Sequence, residues 1–176
     1  MPFVTPVPEG EAGPELRPVY DKVRARFGFI PNYFKMQGRM PDLAETQLVF
    51  REVIMRDGAI SAGIKAQLAL VVSGINTSSY CVAVHLELLQ ELGIEKSLGR
   101  ILATDYGRAP VGPNVQALFR YAEKLTRKPY DITEQDAAEV KAAGWDEAAL
   151  FETVLVTALM NFANRFAIGT GLMSDF

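Results

Sequence analysis

Cys81 and His85, the only cysteine and the only histidine of the chain, stand four residues apart in the stretch NTSSYCVAVH. On an α-helix, residues i and i+4 stack on one face with Cβ atoms about 6 Å apart, so the thiol and the imidazole come within reach of each other. Ser78 and Ser79 are helix-capping types just upstream, which puts Cys81 in a first helical turn. There the positive end of the helix dipole favours a thiolate, and an imidazole either takes the thiol proton or, once charged, holds the anion. Thiolate is the reactive form of cysteine, so the pair has the makings of a redox site. The same two residues also suit a structural role, because free cysteine is among the most buried residue types and a lone histidine on an apolar helix is often a core residue. As a zinc site the pair falls short of the usual three or four ligands unless subunits share the ion, and no cofactor is expected.

The elements that must hold this pair read as helices. Apolar residues recur at spacings of three and four almost throughout, without sustained alternation, so the fold class is all-α. A first helix is predicted from Pro14 to Phe27, with Leu16, Val19, Tyr20, Val23 and Phe27 on one face and Gly28 as its stop. Pro31 and Pro41 sit where helices start. A long helix from Asp42 to Arg56 ends at Asp57-Gly58, and Ser61 caps the next, which runs to Ile75. Asn76 to Ser79 break the pattern, and Ser78 or Ser79 caps a helix through Leu92 that Gly93 ends. Further helices are predicted over Glu95–Tyr106, Asn114–Arg127, Thr133–Ala143 (with Thr133 and Asp136 as a capping box) and from Asp146 onward. A proline, a long helix, a turn and an apolar helix occur twice, over 41–75 and 113–158, as a duplicated helical hairpin would give.

With 176 residues, 49% of them apolar and 22% charged, the chain suits one globular domain: an extended N-terminal arm over 1–13, rich in proline, and a single helical domain over 14–176. A net charge of −3 without a Lys/Arg cluster argues against nucleic acid or an anionic membrane surface as partner. A single cysteine closes no intrachain disulfide and no export signal is visible at the start, so a cytoplasmic location is expected. The apolar tract from Ala148 to Met173 contains Glu152, Asn161, Asn164 and Arg165 and reads as a buried helix rather than a membrane span.

The surroundings of the pair add a resemblance. The run ISAGIKAQLALVVSGINTSSYCVAVHLELLQELGI resembles the core of the alkylhydroperoxidase D and carboxymuconolactone decarboxylase superfamily, in particular its peroxidase-related branch. That core reads L-S-x-x-x-x-E-x-I-x-x-x-x-S-x-x-N-x-C-x-Y-C-x-x-x-H and is followed by a helix ending in L-G. FGFIPN upstream, AEKLTRKPYDITEQDAAEVKAAGW downstream and the terminal NFANR are similar to the same branch, so the likeness runs from Val19 to Gly169. It implies an AhpD-like helical bundle, assembly into dimers, trimers or hexamers, and thiol antioxidant activity, with Cys81 as nucleophile and His85 as proton relay. Two positions depart from the pattern: Ser78 stands where the first cysteine of the redox pair belongs, and Ala66 where the glutamate belongs. Without the second thiol no CxxC disulfide forms, so an external thiol or another subunit must resolve an oxidised Cys81. Without the glutamate, Tyr80, Ser78 or water is left to orient His85.

The resemblance also admits a lyase acting on a small carboxylated lactone, with His85 as acid/base and Arg165 or Lys65 as carboxylate anchor, or a non-catalytic helical oligomer or redox sensor. Asn161, Asn164 and Arg165 lie within an apolar helix and read as a polar network joining helices or subunits. Phe27, Phe29, Tyr33 and Phe34 read as core rather than as the lining of a pocket over Cys81.

Overall fold

The computed structural model describes residues 1–175 and, among them, contains nine α-helices and no strand. They are α1 (Arg17–Phe27), α2 (Asn32–Gln37), α3 (Pro41–Met55), α4 (Ala62–Ile75), α5 (Ser79–Glu91), α6 (Lys96–Asp105), α7 (Pro113–Arg127), α8 (Glu134–Ala142) and α9 (Glu147–Thr170). The chain is thus all-α, as the periodicity requires. Helix α8 stands between α7 and α9 and has no counterpart between α3 and α4.

The chain divides into two compact units. The first takes residues 1–53 together with the chain's end from Phe166. Its core is the predicted face of α1, with Leu16, Val19, Tyr20 and Val23 buried beside Ile30, Phe34, Ala44 and Leu48. Gly28 ends α1 with φ 78°, a left-handed conformation that costs glycine nothing. Tyr20 donates its hydroxyl to the Val7 carbonyl at 2.7 Å, and Val7 N–H donates to the Lys35 carbonyl at 2.9 Å, so the N-terminal segment is tied down. Burial, reinforced by the charge of Glu9, pushes the Tyr20 hydroxyl up to about 12 and keeps it a donor. Phe27, Tyr33 and Phe34 join this core, with the Phe34 ring 5.7 Å from Phe27 and 5.5 Å from Tyr33. Phe29 does not: it follows the reversal at Gly28 and stays 42% exposed.

The second unit, Ile54–Arg165, is organised around α4, which packs against α5, α6 and α7. Helix α4 is buried from Leu68 to Ser73 without a break, so it has no polar face and lies inside the unit. Ser61 caps it by accepting from Ile64 N–H at 3.3 Å. A Cβ on Gly74 would come to 2.0 Å from the Ala103 carbonyl oxygen, so α4 and α6 approach as closely as they do because this residue is glycine. Ile60, Leu118, Val140 and Ala149 form a second cluster against Trp145. The capping box is present: Asp136 accepts from Thr133 N–H at 2.7 Å and also from Lys124 at 2.6 Å. Hydrogen bonds from Lys124 and then Thr133 draw the Asp136 carboxyl down to about 2.

Helix α3 ends at Met55, next to the predicted stop at Asp57-Gly58, but Gly58 does not act as a left-handed cap. Its φ is not positive, and its lack of a side chain instead makes room for the Glu152 carboxylate, which a Cβ would meet at 2.1 Å. Among the described residues no helix is long and apolar enough to cross a membrane.

Candidate functional site

Helix α4 ends in a reversal that sets up α5. Ser78 N–H donates to the Ser73 carbonyl at 3.0 Å and Thr77 N–H to the Gly74 carbonyl at 2.9 Å, the two bonds of a Schellman motif. The left-handed position of that motif falls on Thr77, with φ 54°, the only non-glycine residue of positive φ among those described. A β-branched residue is disfavoured there by about 1–2 kcal/mol, so strain is stored one residue before Ser78.

Helix α5 then starts at Ser79, with Ser78 in the N-cap position. The expectation that Ser78 or Ser79 caps the helix holds for position only, because Ser78 makes no capping hydrogen bond. At ψ 90° its backbone leaves the usual cap geometry, and its hydroxyl is buried without a hydrogen-bond partner. Cys81 lies in the first turn, as expected. Ser78, Cys81, His85 and Leu89, at spacings of three, four and four, are all buried, so the thiol and the imidazole belong to one inward stripe of the helix. Cys81 is 5% exposed, His85 2%, Ser78 1% and Tyr80 6%. Ala66 on α4 is buried too and brings no carboxylate.

A polar network holds the reversal in place. Asn76 donates to Asn161 Oδ1 at 3.0 Å and to Asn164 Oδ1 at 2.9 Å. Asn164 donates to Ser73 Oγ at 3.1 Å, and Ser73 passes a hydrogen bond to the Ala69 carbonyl at 2.7 Å. Asn161 donates to Thr126 Oγ1 at 3.1 Å and to the Thr157 carbonyl at 3.0 Å, while Arg165 donates to the Asn161 side chain and carbonyl. The network reading of Asn161, Asn164 and Arg165 is therefore correct. Its centre is Asn76, which sequence reasoning treated only as a break; an amide just past a helix of which Ser73 is the last buried polar residue was the available signal.

Lys65 is unsuited to the anchoring role considered for it. Only 2% exposed, it donates to the Arg56 carbonyl at 2.6 Å and pairs with Glu152 at 3.1 Å. Burial works to raise the Glu152 carboxyl, but hydrogen bonds from Ile60 N–H, Lys65 and Ala59 N–H and the Lys65 charge outweigh it, and the net direction is down. Lys65 is thereby committed to fastening the 56–60 loop to α9. Arg165, by contrast, is exposed at the edge of a cleft of about 380 Å³ between α7 and α9. Among the described residues no group of three or more His, Cys, Asp or Glu side chains is arranged to hold a metal ion.

No known family profile matches this sequence, and no curated protein matches it by sequence. Solved structures do match in fold. An AhpD-core, uncharacterized peroxidase-related protein from Ralstonia eutropha superposes with a TM-score of 0.90 at 20% identity, covering 99% of this chain and 92% of its own. An uncharacterized peroxidase-related protein from a Silicibacter species gives 0.84 at 24% identity, over 98% of this chain and 88% of its own. The debrominase Bmp8, as a cysteine-to-alanine variant in complex with 2,3,4-tribromopyrrole, gives 0.82 at 21% identity, over 98% and 91%. Helix α5, which carries Cys81 and His85, thus belongs to a fold shared along nearly the whole chain, and that fold is the AhpD-like helical fold of the peroxidase-related proteins.

Proposed function

We propose that the protein is a one-cysteine, AhpD-like thiol peroxidase in which Cys81 is the nucleophile and His85 the proton relay. The observation that carries this reading is the buried stripe of α5, with Cys81 in the first turn and His85 one turn on, within an AhpD-like fold. The Cys81 thiolate attacks one peroxide oxygen, an S–O bond forms as the O–O bond breaks, and the departing oxygen takes a proton from the His85 imidazolium. Cys81 is left as sulfenic acid. An external thiol then displaces water to give a mixed disulfide, and a second thiol restores Cys81 and leaves as the disulfide, supplying two electrons in all. Ser78 closes no disulfide, so this external step replaces the internal one. With Cys81 only 5% exposed, the reading favours a small oxidant such as hydrogen peroxide.

The test is peroxide treatment with a sulfenic-acid trap, read by mass. A trapped adduct on Cys81, lost in Cys81→Ser and diminished in His85→Ala, is expected; a wild-type chain that consumes no peroxide and gains no adduct overturns the reading. Self-association accompanies the proposal, supported by Val49, Phe50 and Val53, which lie on one face of α3 and are 54, 45 and 50% exposed. A second reading, debromination, draws on the likeness to Bmp8. The same sulfur would take bromine from carbon, a proton would replace it, and external thiol would return the two electrons. Cys81-dependent bromide release from 2,3,4-tribromopyrrole in the presence of thiol would favour it over peroxide reduction.

A further inference from the structure

A cleft of the second unit lies away from α5, between the C-terminal ends of α4 and α6, the 105–109 turn and one face of α7, and has a volume of about 720 Å³. That is within the range of small-molecule sites, about 300–1,000 Å³. Its apolar floor includes Ile75 and Val111, which keep exposed surface, over the buried Val71 and Leu102. Its wall is a polar face of α7 formed by Gln116, Arg120, Glu123 and Arg127, at helical spacings of four, three and four.

The rim is held in place before any ligand arrives. Gln116 donates to the Tyr106 carbonyl at 2.9 Å and to the Ala109 carbonyl at 3.3 Å, so the turn is fastened to α7. Glu123 accepts from the Tyr106 hydroxyl with one oxygen and from Arg127 at 2.8 Å with the other. Burial first, then the Glu123 hydrogen bond, pushes the Tyr106 hydroxyl well above the usual phenol range, so it stays a neutral donor to Glu123. Of the two guanidiniums that line the cleft, Arg120 and Arg127, the second is answered by Glu123. Asp105 is the other lining carboxylate. Among the described residues neither Arg120 nor Asp105 forms an ion pair, so the cleft presents one open charge of each sign above an apolar floor.

We propose that this cleft binds a small zwitterion of the α-amino-acid kind with an apolar side chain. Arg120 takes the carboxylate, Asp105 the ammonium group, and the side chain covers Ile75 and Val111. A ligand with only one of the two charges leaves the other residue unanswered. The assignment is independent of Cys81, which contributes nothing to the cleft.

The full-length 15N-labelled protein, titrated in the millimolar range with L-phenylalanine, 3-phenylpropionate and phenethylamine, tests it by amide shifts. L-phenylalanine is expected to move amides of 103–109 and 116–127 and to bind tighter than either half-ligand. Arg120→Ala should weaken phenylalanine and phenylpropionate by about 10- to 100-fold, the range of a charge-assisted hydrogen bond, and spare phenethylamine. Asp105→Asn should weaken phenylalanine and phenethylamine and spare phenylpropionate. Both residues are exposed, so neither substitution threatens folding. Cleft amides that ignore all three probes, phenylpropionate binding as tightly as phenylalanine, or phenylalanine binding indifferent to both substitutions would each overturn the proposal.

Discussion

Replacing Asn164 by alanine perturbs the network that holds the α4–α5 reversal. Asn164 is fully buried, accepts from Asn76 at 2.9 Å and donates to Ser73 Oγ at 3.1 Å. Neither partner is orphaned by the change, because Asn76 keeps Asn161 and Ser73 keeps the Ala69 carbonyl. The cost is therefore the two lost hydrogen bonds, about 1 kcal/mol each, without the larger desolvation penalty of an unsatisfied group. Deleting the carboxamide leaves a void of roughly 40 Å³, which adds about 1 kcal/mol. The sum is about 3 kcal/mol, or a Tm lower by about 6–12 °C for a chain of this size. Urea unfolding followed by far-UV circular dichroism measures it. A cycle with Ser73→Ala should give a coupling of about 1 kcal/mol, since the two side chains share a bond. A loss below about 1 kcal/mol, or strict additivity with Ser73→Ala, would refute the network as a support of the reversal.

Other perturbations have equally definite outcomes. Gly74→Ala drives a Cβ toward the Ala103 carbonyl, where only backbone movement relieves the clash, so a loss of about 2 kcal/mol or more is expected in the same assay. Glu152 has a folded-state carboxyl drawn below its ordinary value, so its contribution is present above that value and is lost as pH falls through the lowered one. Glu152→Gln should cost about 2 kcal/mol near neutrality by leaving Lys65 buried and charged, and should flatten the decline in stability below about pH 4.5; a variant with an unchanged acid limb contradicts the assignment. Phe50→Glu puts a charge on the exposed apolar face of α3, and light scattering should report a smaller particle than for the wild-type chain.

What could be read from the sequence was what repeats along it or depends on one residue type. The face of α1, the left-handed stops at Gly28 and Gly93, the Ser61 cap and the Thr133–Asp136 box all follow from local pattern, and the structure has each of them. Cys81 and His85 were legible for the same reason, as neighbours one helical turn apart. What was hidden depends on partners distant in sequence. Lys65 looks like a free cation until Glu152, 87 residues away, is folded against it. Gly58 follows the end of α3 as the sequence suggests, but the space its missing side chain leaves is taken by the same distant carboxylate. Ser78 has a capping residue's identity and position, yet the reversal at Thr77 holds it out of capping geometry, which no propensity encodes. The zwitterion cleft joins residues of α4, α6 and α7, and only their packing brings Arg120 and Asp105 to one hollow.

The most direct test of the account is the rate of Cys81 modification by a small thiol reagent as a function of pH, in the wild-type chain and in His85→Ala. The account expects folded wild-type protein to react, with a half-maximal rate at a pH below that of a free thiol, and expects His85→Ala to move that midpoint upward. A thiol that reacts only once the chain is unfolded, or a midpoint that ignores His85, would contradict Cys81 as an activated nucleophile and leave α5 a structural helix.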